Sequence, residues 1–395
     1  MKNKVLYISF TSMMEALGAS QVLNYLYGLA TNFEFYLISL EKTDNFFDAK
    51  KKQKLQEIMS LKGIQWYPLL YRSGLKGYIV NFYKVRSLAK QIIINNKITL
   101  IHCRSYMPTI IAYSLQKQNK KINYIFDTRG FWFDEQTDVG SWSRSGFVYR
   151  FAKKLEKKLY LSASHVVMLS IYGKETIQKN ELFNGGDKLT NITVIPTCVD
   201  LNKFQINKNF VEKNRLVVGY VGTAIGWYDF ELTAKVLSII KKRLAFDLLI
   251  FNSGQHNYIK KELAKYEITD YRLETVPFDN MAERMQEIDI SLFFIHPFFS
   301  KRASAATKLG ELLATGIPVI TNANVGDHEY YIDKYSVGKI IDVNKINDYD
   351  FVEIISKLNN VKCKKKCREV AEKYFSLNNG IESYKNIYQQ LLIKV

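Results

Sequence analysis

Lys308 and Glu311 stand three residues apart in ATKLGELLATGIPVIT, residues 306–321. Side chains at that spacing share one face of a helix. An ammonium near a helix start can neutralise a diphosphate, helped by backbone amides and the positive end of the helix dipole. A carboxylate one turn further on can accept two hydrogen bonds from a ribose diol. The same spacing also makes an ordinary surface ion pair worth about 0.3 kcal/mol. Asp127 and Arg129 lie in FDTRGFWFDEQTDVGSW, just past a strand, with Trp132, Asp134, Glu135 and Asp138 following. Acidic and aromatic side chains together suit sugar hydroxyls and apolar sugar faces. They also suit an internal arginine–carboxylate brace for a long loop. His102 and Arg104 in IHCRSY close another strand, where a histidine is either packed or functional.

Two glycine turns could let backbone come close to a phosphate or sugar. Gly18 follows the first strand in ALGASQVLNYLYGLA, with Ser20 read as the N-cap of the next helix. Gly219 and Gly222 lie in GYVGTAIGWYDFE, where Thr223 offers a hydroxyl and an amide. Tight strand-to-helix packing would use the same glycines. Neither turn is a G-x-G-x-x-G, so no dinucleotide fingerprint is present.

The elements that must position these residues alternate between strand and helix. KVLYISF, FEFYLISL, ITLIHC, INYIFD, SHVVMLS and NITVIP read as strands separated by helical periods. The pattern pauses at Pro196 and restarts at RLVVGYVG, continuing through FDLLIFN, DYRLETV, ISLFFIH and IPVIT. Such βαβ alternation gives an α/β fold of two doubly wound, parallel-sheet, Rossmann-like domains, with a cleft at the carboxyl ends of both sheets. The boundaries expected are 1–196 for the first domain, 197–214 for a linker, 215–375 for the second domain and 376–395 for a C-terminal helix returning to the first. In ATKLGELLATGIPVIT the helix is expected to start near Ser304 and to end at Gly316, with Pro318 opening the strand.

The chain has 395 residues, 47% of them apolar, and a formal charge of +18. No run of about 18 uncharged apolar residues is present, which argues against a membrane span. MKNKVLYISF starts basic and then apolar, but its apolar part is short, and it reads as a first strand rather than a signal peptide. The charge points to an anionic partner, or else reflects a Lys-rich composition that aids solubility. Cys363 and Cys367 lie among lysines with no histidine nearby, so four reduced thiols and no metal site are expected. Residues 77–97 carry Ile79, Phe82, Val85, Leu88, Ala89 and Ile92 near helical spacing, with Lys84, Arg86, Lys90 and Lys97. That helix either packs on its own sheet or, with the lysine clusters at 50–54 and 153–158, rests on an anionic membrane.

Taken jointly and in order, ALGASQVLNYLYGLA, FDTRGFWFDE, VIPTCVDLNKF, GYVGTAIGWYD and ATKLGELLATGIPVIT resemble signatures of retaining GT-B glycosyltransferases of the glycosyltransferase group 1 type, known from bacterial polysaccharide assembly. The resemblance implies a cytoplasmic, hexosyltransferase-type enzyme using a nucleoside diphosphate-sugar, UDP-sugar favoured, with retention and without a metal or other cofactor. The acceptor would be a glycan or polyprenyl-linked glycan, as in capsule or lipopolysaccharide synthesis, with no role for nucleic acid. It implies that Glu311 binds the ribose and that Ala306, Thr307 and Lys308 hold the diphosphate. Gly18, Gly222 and Thr223 would line the donor, and Val276 and Pro277 would touch the base. Asp127, Arg129 and Lys308 would serve catalysis, and His102, Arg104 and Trp132 the acceptor. The sequence departs from the family pattern at Ala303, where a first glutamate of an E-x7-E pair would stand, and at Thr223, where many relatives carry arginine. Two further readings stay open: a nucleotide-sugar epimerase or hydrolase on the same fold, and a noncatalytic basic protein that binds nucleic acid or lipid.

Overall fold

The computed structural model describes residues 2–179, 189–206 and 215–393. It divides into two compact units, one of Met1–Pro196 with Leu377–Val395 and one of Thr197–Ser376.

The first unit is built on seven parallel strands: β1 (Asn3–Ser9), β2 (Phe33–Glu41), β3 (Ile64–Leu70), β4 (Leu100–Arg104), β5 (Asn123–Asp127), β6 (His165–Met168) and β7 (Ile192–Val194). Their order across the sheet is β3-β2-β1-β4-β5-β6-β7. Central strands read as apolar runs because helices cover both faces of a parallel sheet, and β4 and all but one residue of β2 are buried. The sequence reading did not include β3. It carries Pro68 and forms the sheet edge, where a missing amide costs no ladder bond. Strand order reverses between β1 and β4, so the C-terminal ends of β1 and β4 mark the place where doubly wound sheets bind ligands.

The second unit repeats the plan with β8 (Leu216–Val221), β9 (Phe246–Phe251), β10 (Arg272–Glu274), β11 (Ile290–Leu292), β12 (Val319–Asn322) and β13 (Gly338–Ile341). The order is β10-β9-β8-β11-β12-β13, all pairs parallel, with the switch between β8 and β11. Helix Phe230–Lys241 shows how local chemistry sets these elements. The Asp229 carboxylate caps it by accepting from the Leu232 amide at 2.8 Å, and Lys241 lies in its last turn.

Three local readings differ from the structure, and a fourth, which the sequence leaves open, is narrowed. Helix begins at Ala16 rather than at Ser20, whose hydroxyl turns back to the Leu17 carbonyl at 3.5 Å. The helix after residue 303 starts at Thr307, because Phe299–Ala303 forms a separate 3-10 turn. Of the expected linker, residues 207–214 lie outside the described residues. The rest is no free spacer: Cys198, Val199 and Phe204 are buried, and the Val199 amide donates to the Phe375 carbonyl at 2.7 Å. In helix Gly74–Asn96 the stripe of Val85, Ala89 and Ile92 is buried, while Leu75, Ile79 and Tyr83 on its other side are exposed. The apolar stripe therefore belongs to the unit's own core.

The C-terminal helix Leu377–Ile393 belongs to the first unit and buries Tyr384, Ile387, Tyr388 and Leu391, which share one helical face.

Candidate active site

Each unit gathers its own group of polar residues at the carboxyl ends of its strands. In the second unit the group is centred on Lys308. It is only 6% exposed, and its ammonium has no hydrogen-bond partner among the described residues. Instead Nζ lies 3.6 Å from the ring centre of Tyr228, 4.7 Å from Tyr220 and 5.3 Å from Phe293. Aromatic faces attract a cation but supply no hydrogen bonds, so three N–H donors remain to be used. Burial pulls the ammonium pKa down to about 7 against the attraction of Glu311. Half-buried Glu311 is pushed up to about 7 by burial, opposed by Lys308 and then Lys203. A negative charge placed beside Lys308 would favour its charged form.

The sequence around this lysine explains its placement. Helix Thr307–Ala314 buries Leu309, Leu312 and Leu313, and its N-cap, Ala306, offers no side-chain cap to the first-turn amides. Gly222 has φ +95, which L side chains rarely adopt, and a Cβ there would lie 3.4 Å from both Cε and Nζ of Lys308. The glycine turn therefore meets the lysine directly. Gly219, by contrast, lies inside β8 against Ile288 and serves strand packing. Asn252 fixes the turn by donating to the Gly222 carbonyl at 2.9 Å, and Gln255 accepts from the Thr223 hydroxyl at 3.2 Å. Thr223 itself is exposed. Tyr228 is held by its pairing with Ile295, flanked by the Asp229 amide on the Phe294 carbonyl at 2.9 Å. Half-buried Val276 and exposed Pro277 follow β10. Ala303 is fully buried. Beside it in the same 3-10 turn, Lys301 places Nζ 3.4 Å from the ring centre of Trp227.

In the first unit the structure brings His102, Arg104, Asp127 and Arg129 together at the ends of β4 and β5, where Arg104 and Asp127 are register partners. Asp127 is 2% exposed and accepts from the Tyr384 hydroxyl at 3.1 Å. His102 Nε2 is 3.5 Å and Arg129 Nη1 3.7 Å from its carboxylate. Burial alone would raise Asp127, but Arg129, His102 and Arg104 outweigh it and hold the carboxyl at about 2. Burial keeps His102 below its ordinary value despite Asp127, so the imidazole is neutral, and it shares a 2.6 Å hydrogen bond with the Tyr388 hydroxyl. Asp127 is thus engaged inside the unit, in the manner of the internal arginine–carboxylate brace that the sequence also allowed. Arg129 and the following Gly130 both have positive φ, +59 and +130, a turn that tucks the guanidinium back towards Asp127. Trp132 stands apart in an aromatic cluster, its ring centre 6.1 Å from those of both Tyr106 and Trp142.

Gly18 has another neighbour than expected: a Cβ there would come within 2.0 Å of the Ser12 carbonyl oxygen. The close approach is by the chain's own loop. That loop is pinned by fully buried Glu41, which accepts from the Ser12 hydroxyl, from the Met13 amide at 3.0 Å and from the Met14 amide at 3.3 Å. The Ser39 hydroxyl adds a fourth bond at 2.6 Å, itself fixed by Trp66 Nε1 at 2.7 Å. Sequence reasoning missed Glu41 because it sits at the end of a strand with no motif around it. It missed the aromatic box and Lys203 because they come from distant segments. Among the described residues no group of three or more His, Cys, Asp or Glu is placed to hold a metal ion.

Residues 21–203 match the model of glycosyltransferase family 4, and residues 202–374 match that of glycosyl transferases group 1. The chain is made of two glycosyltransferase-family domains. No curated protein sequence matches it significantly. Among solved structures it is similar to sucrose-phosphate synthase from Thermosynechococcus elongatus, at 12% identity and a TM-score of 0.73, covering 100% of both chains. It is also similar to HepE from Anabaena in complex with UDP and glucose, at 13% identity and 0.67, covering 98% of this chain and 100% of that one. A Listeria monocytogenes protein assigned as a UDP-N-acetylglucosamine 2-epimerase matches at 14% identity and 0.59, covering 99% and 98%. At these identities the likeness establishes the GT-B fold; it does not separate transfer from epimerisation.

Proposed function

We propose that the protein is a retaining glycosyltransferase that moves a hexosyl group from a nucleoside diphosphate-sugar, a UDP-sugar favoured, to a glycan or polyprenyl-linked acceptor in surface polysaccharide synthesis. The carrying observation is the buried Lys308 ammonium, boxed by aromatic rings at a glycine turn and a helix start, with no hydrogen bond of its own. A buried cation without a bonded partner is costly, and a diphosphate would supply both charge and acceptors.

In this reading Lys308 and the amides of Ala306 and Thr307 take the diphosphate, Glu311 the ribose, and the backbone of Val276 and Pro277 the base. The bond between the sugar's anomeric carbon and the diphosphate oxygen breaks. The acceptor oxygen bonds to that carbon on the same face, and its proton passes to the departing phosphate. Lys308 stabilises the charge that grows on that phosphate, an effect strong in a water-poor site. The first unit serves the acceptor, with Asp127 and Arg129 positioning His102 and Arg104. No step calls on a divalent metal, so activity should survive EDTA.

A thermal-shift screen against UDP-, GDP-, ADP- and CMP-sugars tests the donor, because a ligand at a hundred times its dissociation constant stabilises by about 2.7 kcal/mol. If no nucleotide raises the midpoint, the reading fails. Incubation with the donor alone then distinguishes transfer from epimerisation or hydrolysis, which would consume the donor without an acceptor.

A further inference from the structure

The charged cluster of the first unit is not balanced. Arg104 and Arg129 bring two guanidinium groups, Asp127 brings the one carboxylate that acts on them, and His102 is neutral. One positive charge is therefore in excess. Arg104 is 5% exposed, yet its guanidinium makes no hydrogen bond to any described residue, and its Nε is fully enclosed without a partner. Arg129 reaches Asp127 at 3.7 Å, an ion pair beyond hydrogen-bond distance. The buried Thr128 hydroxyl, beside Asp127, is also without a partner. Around them Tyr7, Tyr384 and Tyr388 are buried phenols that burial keeps protonated, so they supply no counter-charge. Helix Tyr106–Gln118 begins two residues after Arg104 with no side-chain cap on its first amides, and its positive end adds to the excess. All of this lies at the ends of β4 and β5, next to the strand-order switch between β1 and β4.

An arginine kept for structure satisfies its donors with carboxylates or carbonyls, as Arg368 does on the carbonyls of Phe204, Ala314 and Leu201 at 2.6, 3.1 and 3.2 Å. Arg104 does the opposite: the residue is 5% exposed, its Nε is enclosed, and none of its donors is bonded to a described residue. Leaving them so costs stability unless a ligand repays it.

We infer that Arg104, with Arg129 and Thr128, binds an anionic group, a phosphate or a carboxylate, carried by the acceptor. The inference rests on the glycosyltransferase reading for the word acceptor, but its physical content is an anion site confined to the first unit. A planar guanidinium suits either anion through paired hydrogen bonds. The site therefore selects an acceptor that is a sugar phosphate or a glycan ending in an acidic sugar, over a neutral one.

The test uses the full-length protein with glucose 6-phosphate, glucuronate and glucose as probes, read by thermal midpoint, with and without saturating UDP. The two anionic sugars should raise the midpoint and glucose should not, and which of the two acts more strongly assigns phosphate or carboxylate. Arg104→Met should abolish the shift while leaving the ligand-free midpoint unchanged or higher, because it deletes an unpaired buried charge. Arg104→Lys should retain part of the shift. A lower ligand-free midpoint in Arg104→Met would mark Arg104 as structural and overturn the inference, as would equal binding of glucose. The Arg104-dependent shift does not need UDP to bind, so an anion response without any nucleotide response would sink the donor reading and leave this inference standing.

Discussion

Lys308 shows how much chemistry one side chain can hold in reserve. Its ammonium is drawn down to about 7 by burial, so at pH 8 the ligand-free protein carries much of it neutral. A diphosphate favours the charged form, so binding must take up a proton above pH 7. The sign follows from linkage: affinity for UDP should fall as pH rises from about 7.5 to 9, by up to about tenfold per unit for one proton. Calorimetry in buffers of different ionisation enthalpy would read the uptake directly, and Lys308→Met should flatten the profile. A pH-independent affinity across that window would contradict the assignment. Glu311→Ala should weaken UDP binding by about 1.5–3 kcal/mol, the range for a hydrogen bond to a charged group. Binding of pyrophosphate, which lacks a ribose, should be spared that loss. Titration calorimetry with both ligands checks it, and equal losses would move Glu311 from the ribose to the phosphates.

At the scale of elements, the loop after β1 is held by a strand rather than by its own turn chemistry. Glu41 at the end of β2 collects the Ser12 hydroxyl and the Met13 and Met14 amides. Glu41→Ala would strand these buried donors, and we expect a loss of about 3 kcal/mol in urea unfolding. Glu41→Gln, which keeps one acceptor oxygen, should lose less. An unchanged midpoint in the alanine variant would mean that water replaces the carboxylate and that the loop is not anchored there. Helix Ala16–Gly18 meets the same loop from the other side. Gly18→Ala would force a methyl group within 2.0 Å of the Ser12 backbone, which no side-chain rotation can relieve.

At the scale of the whole molecule, the charge of +18 asks for a destination. Among the described residues no helix is long and apolar enough to cross a membrane. The lysine clusters are partly spent inside the fold. Lys153 pairs with Asp134 and Glu156, Lys51 donates to the Met14 carbonyl at 2.8 Å, and Lys52 donates to the Phe46 carbonyl at 3.0 Å. Helix Phe147–Ser162 offers a better surface. Phe147 and Phe151 are 83% and 61% exposed, and Lys154 and Lys158 follow them on the same face. We propose that this face rests on the anionic inner leaflet of the plasma membrane, each cation adding about 1 kcal/mol. The protein should sediment with phosphatidylglycerol vesicles at low salt and release at high salt. Phe147→Ser with Lys154→Glu should weaken the binding. Failure to pellet at low salt would return the charge to composition bias.

Legible along the chain were the alternation of strand and helix, the turn at Gly222, and a lysine and a glutamate on one face of a short helix. These are local properties: side-chain period, turn residues and caps act within a few residues, so they can be read along the chain. The edge strands β3 and β13 escaped because Pro68 argues against a strand in β3 and because β13 is only four residues long, opening on Gly338 and Lys339. The state of the charged groups, by contrast, depends on the assembled fold. Lys308 read either as a diphosphate ligand or as half of a surface pair until β8, the turn after it and the segment after β11 closed an aromatic box around it. Asp127 read equally as a sugar contact or as part of an internal brace until the C-terminal helix, 257 residues further along the chain, laid Tyr384 against it. Arg104 read as a strand-end cation, and only its enclosure showed that no described residue of the first unit takes its Nε–H. Burial and satisfaction depend on which distant segments arrive, and a charge is costly or useful only once water has been removed from around it.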